Sequence, residues 1–176
     1  MLNASGVPEG IASRPSYSVA VGPATIPAVV DRPQIVLRTG ANRVTPAEES
    51  RWAEPLKDSI PRVVAGNLAS LLGGAQVAAY PQSAAAVADY RVLLDVQRFD
   101  SALGDAATLE VLWTVTAASG GAAIARRSLV REPAGGTDYD ALVAAHNRAL
   151  AAVSRDIAAT IREVSTGDQI KRKTTQ

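Results

Sequence analysis

The chain has 176 residues, 47% of them hydrophobic and 20% charged, with a formal net charge of +1. That length is most simply one domain with a substantial core, and the charge balance carries no electrostatic footprint for nucleic acid. The absence of Cys excludes disulfides and thiolate metal sites, and no apolar run reaches the eighteen residues of a transmembrane helix.

Residues 1–15 have neither an apolar core nor a helical period, so they read as a disordered leader. The acceptor pattern Asn3-Ala4-Ser5 within it is a chance match. Tyr17 to Gly22 alternates small and apolar residues, which predicts a short strand closed by Gly22-Pro23. The stretch from Pro23 to Pro33 is too broken by proline for helix or central strand. Gln34 to Arg38 predicts a second strand, and Arg43 to Thr45 a short third one after a turn.

The next stretch organises the chain. From Glu48 to Gly73 the apolar positions Trp52, Leu56, Ile60, Val63, Val64, Leu68, Leu71 and Leu72 recur every three or four residues, painting one stripe on a helix. Pro55 suits a first helical turn, with the residues from Thr45 forming a short lead-in. Pro61 lies inside the stripe and predicts a kink, and Gly73-Gly74 ends the helix. Glu48, Glu49, Glu54 and Asp58 gather near its start, where they complement the dipole.

Gln76 to Tyr80 predicts a fourth strand, and Ala-rich Gln82 to Ala88 a loop. Asp89 to Asp100 sets Tyr90, Val92, Leu94 and Val96 on one face, with Leu93 and Phe99 on the other. Thr108 to Ala118 sets Leu109, Val111, Trp113 and Val115 against threonines and Glu110, and Ser119-Gly120-Gly121 turns it into a partner strand, Ala123 to Glu132. Arginines 126, 127 and 131 on that strand are placed for cross-strand pairing with Asp95 or Glu110. The last helix, Asp138 to Val164, is capped by Thr137 and stopped by Thr166-Gly167, leaving residues 167–176 as a disordered basic tail. The fold class is therefore α+β. A mostly antiparallel (mixed) sheet carries two long amphipathic helices on one face, all within a single domain over residues 16–166.

Chemistry is sparse. His146, the single histidine, falls within the apolar stripe of the last helix and reads as a packed core residue. No second His or Cys accompanies it for a metal, and neither a nucleophile elbow nor a phosphate-cradling glycine loop occurs. The reading is a non-enzyme that needs no cofactor.

Two blocks point further: Ile26 to Val44, containing Asp31-Arg32-Pro33-Gln34, and Glu49 to Leu72, containing Arg51-Trp52-Ala53-Glu54-Pro55-Leu56. Together with Tyr90 to Asp100 and Thr108 to Val115, they resemble the PqiC/YmbA-like ABC-type transport auxiliary lipoproteins. The resemblance spans about Tyr17 to Val164. It implies a periplasmic accessory subunit, held at the outer membrane by an N-terminal acylated Cys. It also implies a partner, an MCE-domain transporter protein, and a role in intermembrane lipid transport and envelope integrity. That Cys and a signal segment would have to lie upstream of this sequence. No catalytic residues come with the family. Asp31, Arg32, Pro33, Gln34, Arg51, Trp52, Glu54, Pro55 and Leu56 are carried over as motif residues, either structural or partner-binding. Association with further copies of the chain is left open. The rival reading is an independent lipid- or small-ligand-binding module with an apolar pocket between helices and sheet.

Overall fold

A thirteen-residue strand forms the hub of the sheet. The computed structural model describes residues 17–81 and 87–174, the stretch 168–174 as backbone only. In chain order the elements are β1 (Ser18–Thr25), β2 (Gln34–Gly40), β3 (Arg43–Arg51), α1 (Leu56–Leu71), β4 (Gln76–Ala79), β5 (Tyr90–Ala102), β6 (Ala106–Ala117), β7 (Ile124–Pro133) and α2 (Tyr139–Thr174). β6 pairs antiparallel with the whole of β5, from Tyr90↔Ala117 to Ala102↔Ala106, and β7 follows β6 antiparallel. The other edge of β5 is shared. β1 runs parallel to its first half, and β2 meets it in parallel at Leu37↔Ser101. β4 then flanks β1 in parallel, and β3 flanks β2 antiparallel. The mixed sheet with two long helices is the α+β class expected from the patterning.

Alternation explains which face the helices cover. Val92, Leu94 and Val96 of β5 and Leu109, Val111, Trp113 and Val115 of β6 point inward. There they meet the stripes of both helices, among them Ile60, Val64, Leu68, Leu150, Ile157 and Ile161. Each such Leu or Ile contributes about 1.5–3 kcal/mol by leaving water. Several polar groups inside this layer are paired. Asn67 donates to Ser154 Oγ at 3.3 Å, which donates in turn to the Leu150 carbonyl at 2.7 Å. The Trp113 indole N–H donates to Ser128 Oγ at 2.9 Å, and Ser128 donates to Asp156 at 2.6 Å, tying β6 and β7 to α2.

Several elements depart from their patterning. Residues 48–51, expected at the start of the central helix, belong to β3; Glu48 and Glu49 therefore sit on a strand, away from the helix dipole. The edge of β2 offers backbone groups that need partners, and this outweighs the helical propensity of Ala47-Glu48-Glu49. β3 answers with an irregular bulge, in which residues 47–50 stand opposite Ile35 alone. β1 continues through Pro23 to Thr25, because a register shift between Val21 and Ala24 removes the proline from the ladder. A second shift, between Val96 and Arg98, reverses the alternation of β5 and turns Phe99 inward, against the expectation that it shares a face with Leu93. α1 runs on through Pro61, and Gly73 and Gly74 end it at φ of +66° and +82°. The cap of α2 is Asp138 rather than Thr137, its carboxylate accepting from the Ala141 N–H at 2.7 Å. α2 does not stop at Gly167 but runs on to Thr174. One glycine in a long helix costs only about 1 kcal/mol, and Ser165 and Thr166 return their hydroxyls to the Arg162 carbonyl. The leader over residues 1–15 and most of the Gln82–Ala88 loop lie outside the described residues.

Candidate partner-docking corner

The two motif blocks meet at one corner of the molecule. A turn closes at Val30, whose N–H reaches the Pro27 carbonyl at 3.0 Å, and the Arg32 N–H then reaches the Val30 carbonyl at 2.9 Å. Pro33 has no N–H to spend and leads straight into β2. Its carbonyl accepts from the Trp52 N–H at 2.8 Å, while Gln34 stands opposite Arg51 in the β2–β3 ladder. The join between the blocks is thus made by backbone. Glu54 pairs with Arg62 on α1. Pro55 sits at the N-cap of α1, its carbonyl accepting from the Asp58 and Ser59 N–H groups, both at 3.0 Å. Leu56 is the first buried residue of the helix.

Beneath the corner lies a ring cluster. Trp52 is half-buried and meets Phe99 and His146 edge-on, with centroids 5.9 and 6.1 Å apart. Phe99 and His146 stack face to face at 4.1 Å. His146 is fully buried, its Nε2 2.8 Å from Ser101 Oγ, and its Nδ1 has no partner among the described residues. Burial pushes its pKa down to about 3, the nearby Asp100 charge opposing the shift only in part. A second fastener ties β2 to β5. Arg38 grips both oxygens of Asp100 at 2.9 Å, and Arg98 joins from beside it. Burial pushes the Asp100 carboxyl up, but the hydrogen bonds from Arg38 and Arg98 outweigh it and hold the group below its ordinary value.

The outward surface of the corner is made of exposed Asp31, Arg32, Pro33, Arg51, Ala53 and Pro55. It mixes both charges with rigid prolines on an anchored backbone. No nucleophile–base pair faces it. The one imidazole is buried and neutral, and the described residues hold no cluster of three metal-ligating side chains. The arginines of β7 find Glu110 (Arg127), Glu163 (Arg126) and Asp105 (Arg131), so of the two expected acceptors only Glu110 is used. Phe99, Ser101 and Asp100 were missed as neighbours of the motif, because only the bulge in β5 brings that strand end under Trp52.

The sequence has no match among curated proteins. Solved crystal structures share the fold. One is of an uncharacterized protein, at a TM-score of 0.74 and 21% identity over 91% of this chain and 98% of the other. The second is protein XCC0632 from Xanthomonas campestris, described under the family DUF330, at a TM-score of 0.74 and 24% identity over 97% of both chains. The model of the ABC-type transport auxiliary lipoprotein component family matches residues 2–158, spanning both motif blocks and the whole sheet. The chain belongs to that family.

Proposed function

We infer that this domain is a non-enzymatic accessory subunit of an MCE/ABC-type system that moves lipid between membranes. In this reading it stands in the periplasm on an N-terminal lipid anchor in the outer membrane, links that membrane to the transporter's MCE-domain protein, and supports envelope integrity. Family membership supplies the transport context. The observation that carries the reading at residue level is the joined corner, in which the Trp52-to-Pro33 hydrogen bond sets Arg32 and Arg51 outward on neighbouring segments. Nothing in the described residues sets up acid–base or metal chemistry, so binding is the work proposed for the surface. Association with further copies of the chain is part of the proposal.

Affinity capture of the lipidated protein from detergent-extracted envelopes tests this. The MCE-domain subunit should be the main partner recovered, and Arg32→Glu with Arg51→Glu should abolish its recovery at unchanged abundance. Recovery of phospholipid with a monomer and no transporter subunit would favour the independent lipid-binding module and overturn the proposal.

A further inference from the structure

His146 closes a joint between two parts of the fold that are otherwise packed separately. α2 enters the main core only from Ala149 onward, through Leu150, Val153, Ile157 and Ile161. Its first turns rest on a satellite cluster, in which Leu142 and Ala145 meet Ala107 of β6 and partly buried Leu37 of β2. So small a cluster buries little apolar surface, which makes this segment the less strongly held part of the helix. A loop with Gly135 at φ +73° leads into it. What pins it to β5 is the His146 ring, stacked on Phe99 and hydrogen-bonded to Ser101. The same ring stands against Trp52, whose N–H joins the two motif blocks.

The closed joint suits only the neutral ring. A neutral imidazole carries one N–H and an imidazolium two. Nε2 has Ser101 Oγ at 2.8 Å, but buried Nδ1 has no partner among the described residues. In the imidazolium its N–H would therefore be buried without an acceptor, a costly placement. Nor does a free carboxylate face the ring. On β5, Asp100 alternates to the opposite side of the strand from Ser101 and is gripped by Arg38 of β2 and by Arg98. Glu54, ahead of α1, is taken by Arg62, and Glu132 of β7 by Arg148 of α2. Glu110 of β6 is taken by Arg127, and Asp105 in the turn before it by Arg131. Arg51, Lys57, Asp58, Asp138 and Asp140 are exposed on the surrounding segments. Of these charges Asp100 alone acts on the ring, and burial outweighs it.

We propose that His146 is an acid-released latch. When the ring takes a proton, the first turns of α2 leave β5, Trp52 loses its inner wall, and the corner loosens its hold on the transporter. The inference rests on the reading of that corner as the transporter's docking surface, and gives the surface a regulator. The proton is accepted in the open state, so acid favours opening by mass action. For an exposed imidazole titrating near 6.5, the open population rises about 25-fold between pH 7 and 5.

Hydrogen exchange of the full chain, corrected for intrinsic rates and followed by mass spectrometry from pH 7 to 5, tests the latch without a partner. Residues 139–148 should exchange at least about tenfold faster than residues 150–161, and their opening should increase about 25-fold over the range. His146→Gln should remove that increase. Opening of 139–148 that does not respond to pH overturns the proposal. So does opening in step with 150–161, which would make it global unfolding. The wild-type profile decides this even where His146→Gln fails to fold. Dissociation from the immobilised MCE-domain subunit then tests the link to the corner. It should quicken severalfold from pH 7 to 5 for the wild type but not for His146→Gln, which keeps every charge of the docking surface. Equal pH dependence in the two proteins overturns the link. Absence of any complex at pH 7 removes the docking reading, while the latch itself stands or falls on its exchange.

Discussion

His146 gives the stability of this domain a pH dependence that can be worked out in advance. It is the only histidine, fully buried, stacked on Phe99 and held by Ser101. Burial pushes its pKa down to about 3, whereas in the unfolded chain an imidazole titrates near 6.5. The native state therefore refuses a proton that the unfolded state accepts. Its contribution to stability is intact above about pH 6.5 and is lost as pH falls towards 3. The slope is about 1.4 kcal/mol per pH unit, so about 2 kcal/mol disappears between pH 6.5 and 5. Unfolded carboxylates begin to take protons only below that interval, which leaves the window to the histidine. Urea unfolding followed by circular dichroism at pH 7, 6 and 5 measures it. His146→Gln should cost about 1–2 kcal/mol at pH 7, from the lost ring stack and altered hydrogen bonding, yet show almost no slope. The two proteins should therefore converge at pH 5. A wild-type domain equally stable at pH 7 and 5 would refute the reasoning, as would a His146→Gln variant with the same slope.

Trp52→Ala should lower stability by about 2–4 kcal/mol, below the value for a fully buried tryptophan because the ring is only half-covered. Chemical denaturation measures this, and a variant that melts like the parent but no longer binds would move Trp52 from anchor to interface. Gly22→Ala drives a Cβ into Leu93 and to 3.3 Å from the Val92 carbonyl, so it should cost about 1–2 kcal/mol in the same assay. Arg38→Ala removes a two-point grip on a partly buried carboxylate and should cost about 1–2 kcal/mol; hydrogen exchange should show the β2–β3 ribbon loosening before the rest of the sheet. Removing residues 1–15 should leave the melting temperature nearly unchanged, and a drop of several degrees would show that the leader docks on the body.

What the sequence disclosed was what periodicity controls. The inward faces of β5 as far as Val96 and of β6, the apolar stripe of α1, its glycine stop and the burial of His146 all follow from spacing, since a side chain's face is fixed by its position modulo the local repeat. Features made by a single inserted residue did not follow. The shift after Val96 sends Phe99 under Trp52, and nothing in Val96-Gln97-Arg98-Phe99 announces it. Pro46-Ala47-Glu48-Glu49 reads as a lead-in to the central helix and folds as strand, because the edge of β2 supplies long-range hydrogen bonds that local propensity cannot anticipate. The same limit applies at the corner. The adjacency of Asp31-Arg32-Pro33-Gln34 and Arg51-Trp52 depends on a hairpin whose strands the pattern drew too short. The choice of Asp138 over Thr137 as cap was a near-degenerate local decision between two good capping residues.

The central claim, that this family member serves a transporter through its motif corner, is tested most directly by binding between purified proteins. The domain and the MCE-domain subunit of its transport system should form a saturable complex in titration calorimetry. Arg32→Glu with Arg51→Glu should weaken it at least about tenfold, by leaving repulsive charge at the interface, with no change in melting temperature. No heat and no complex with any MCE-domain subunit, or a complex that both substitutions leave untouched, would contradict the account.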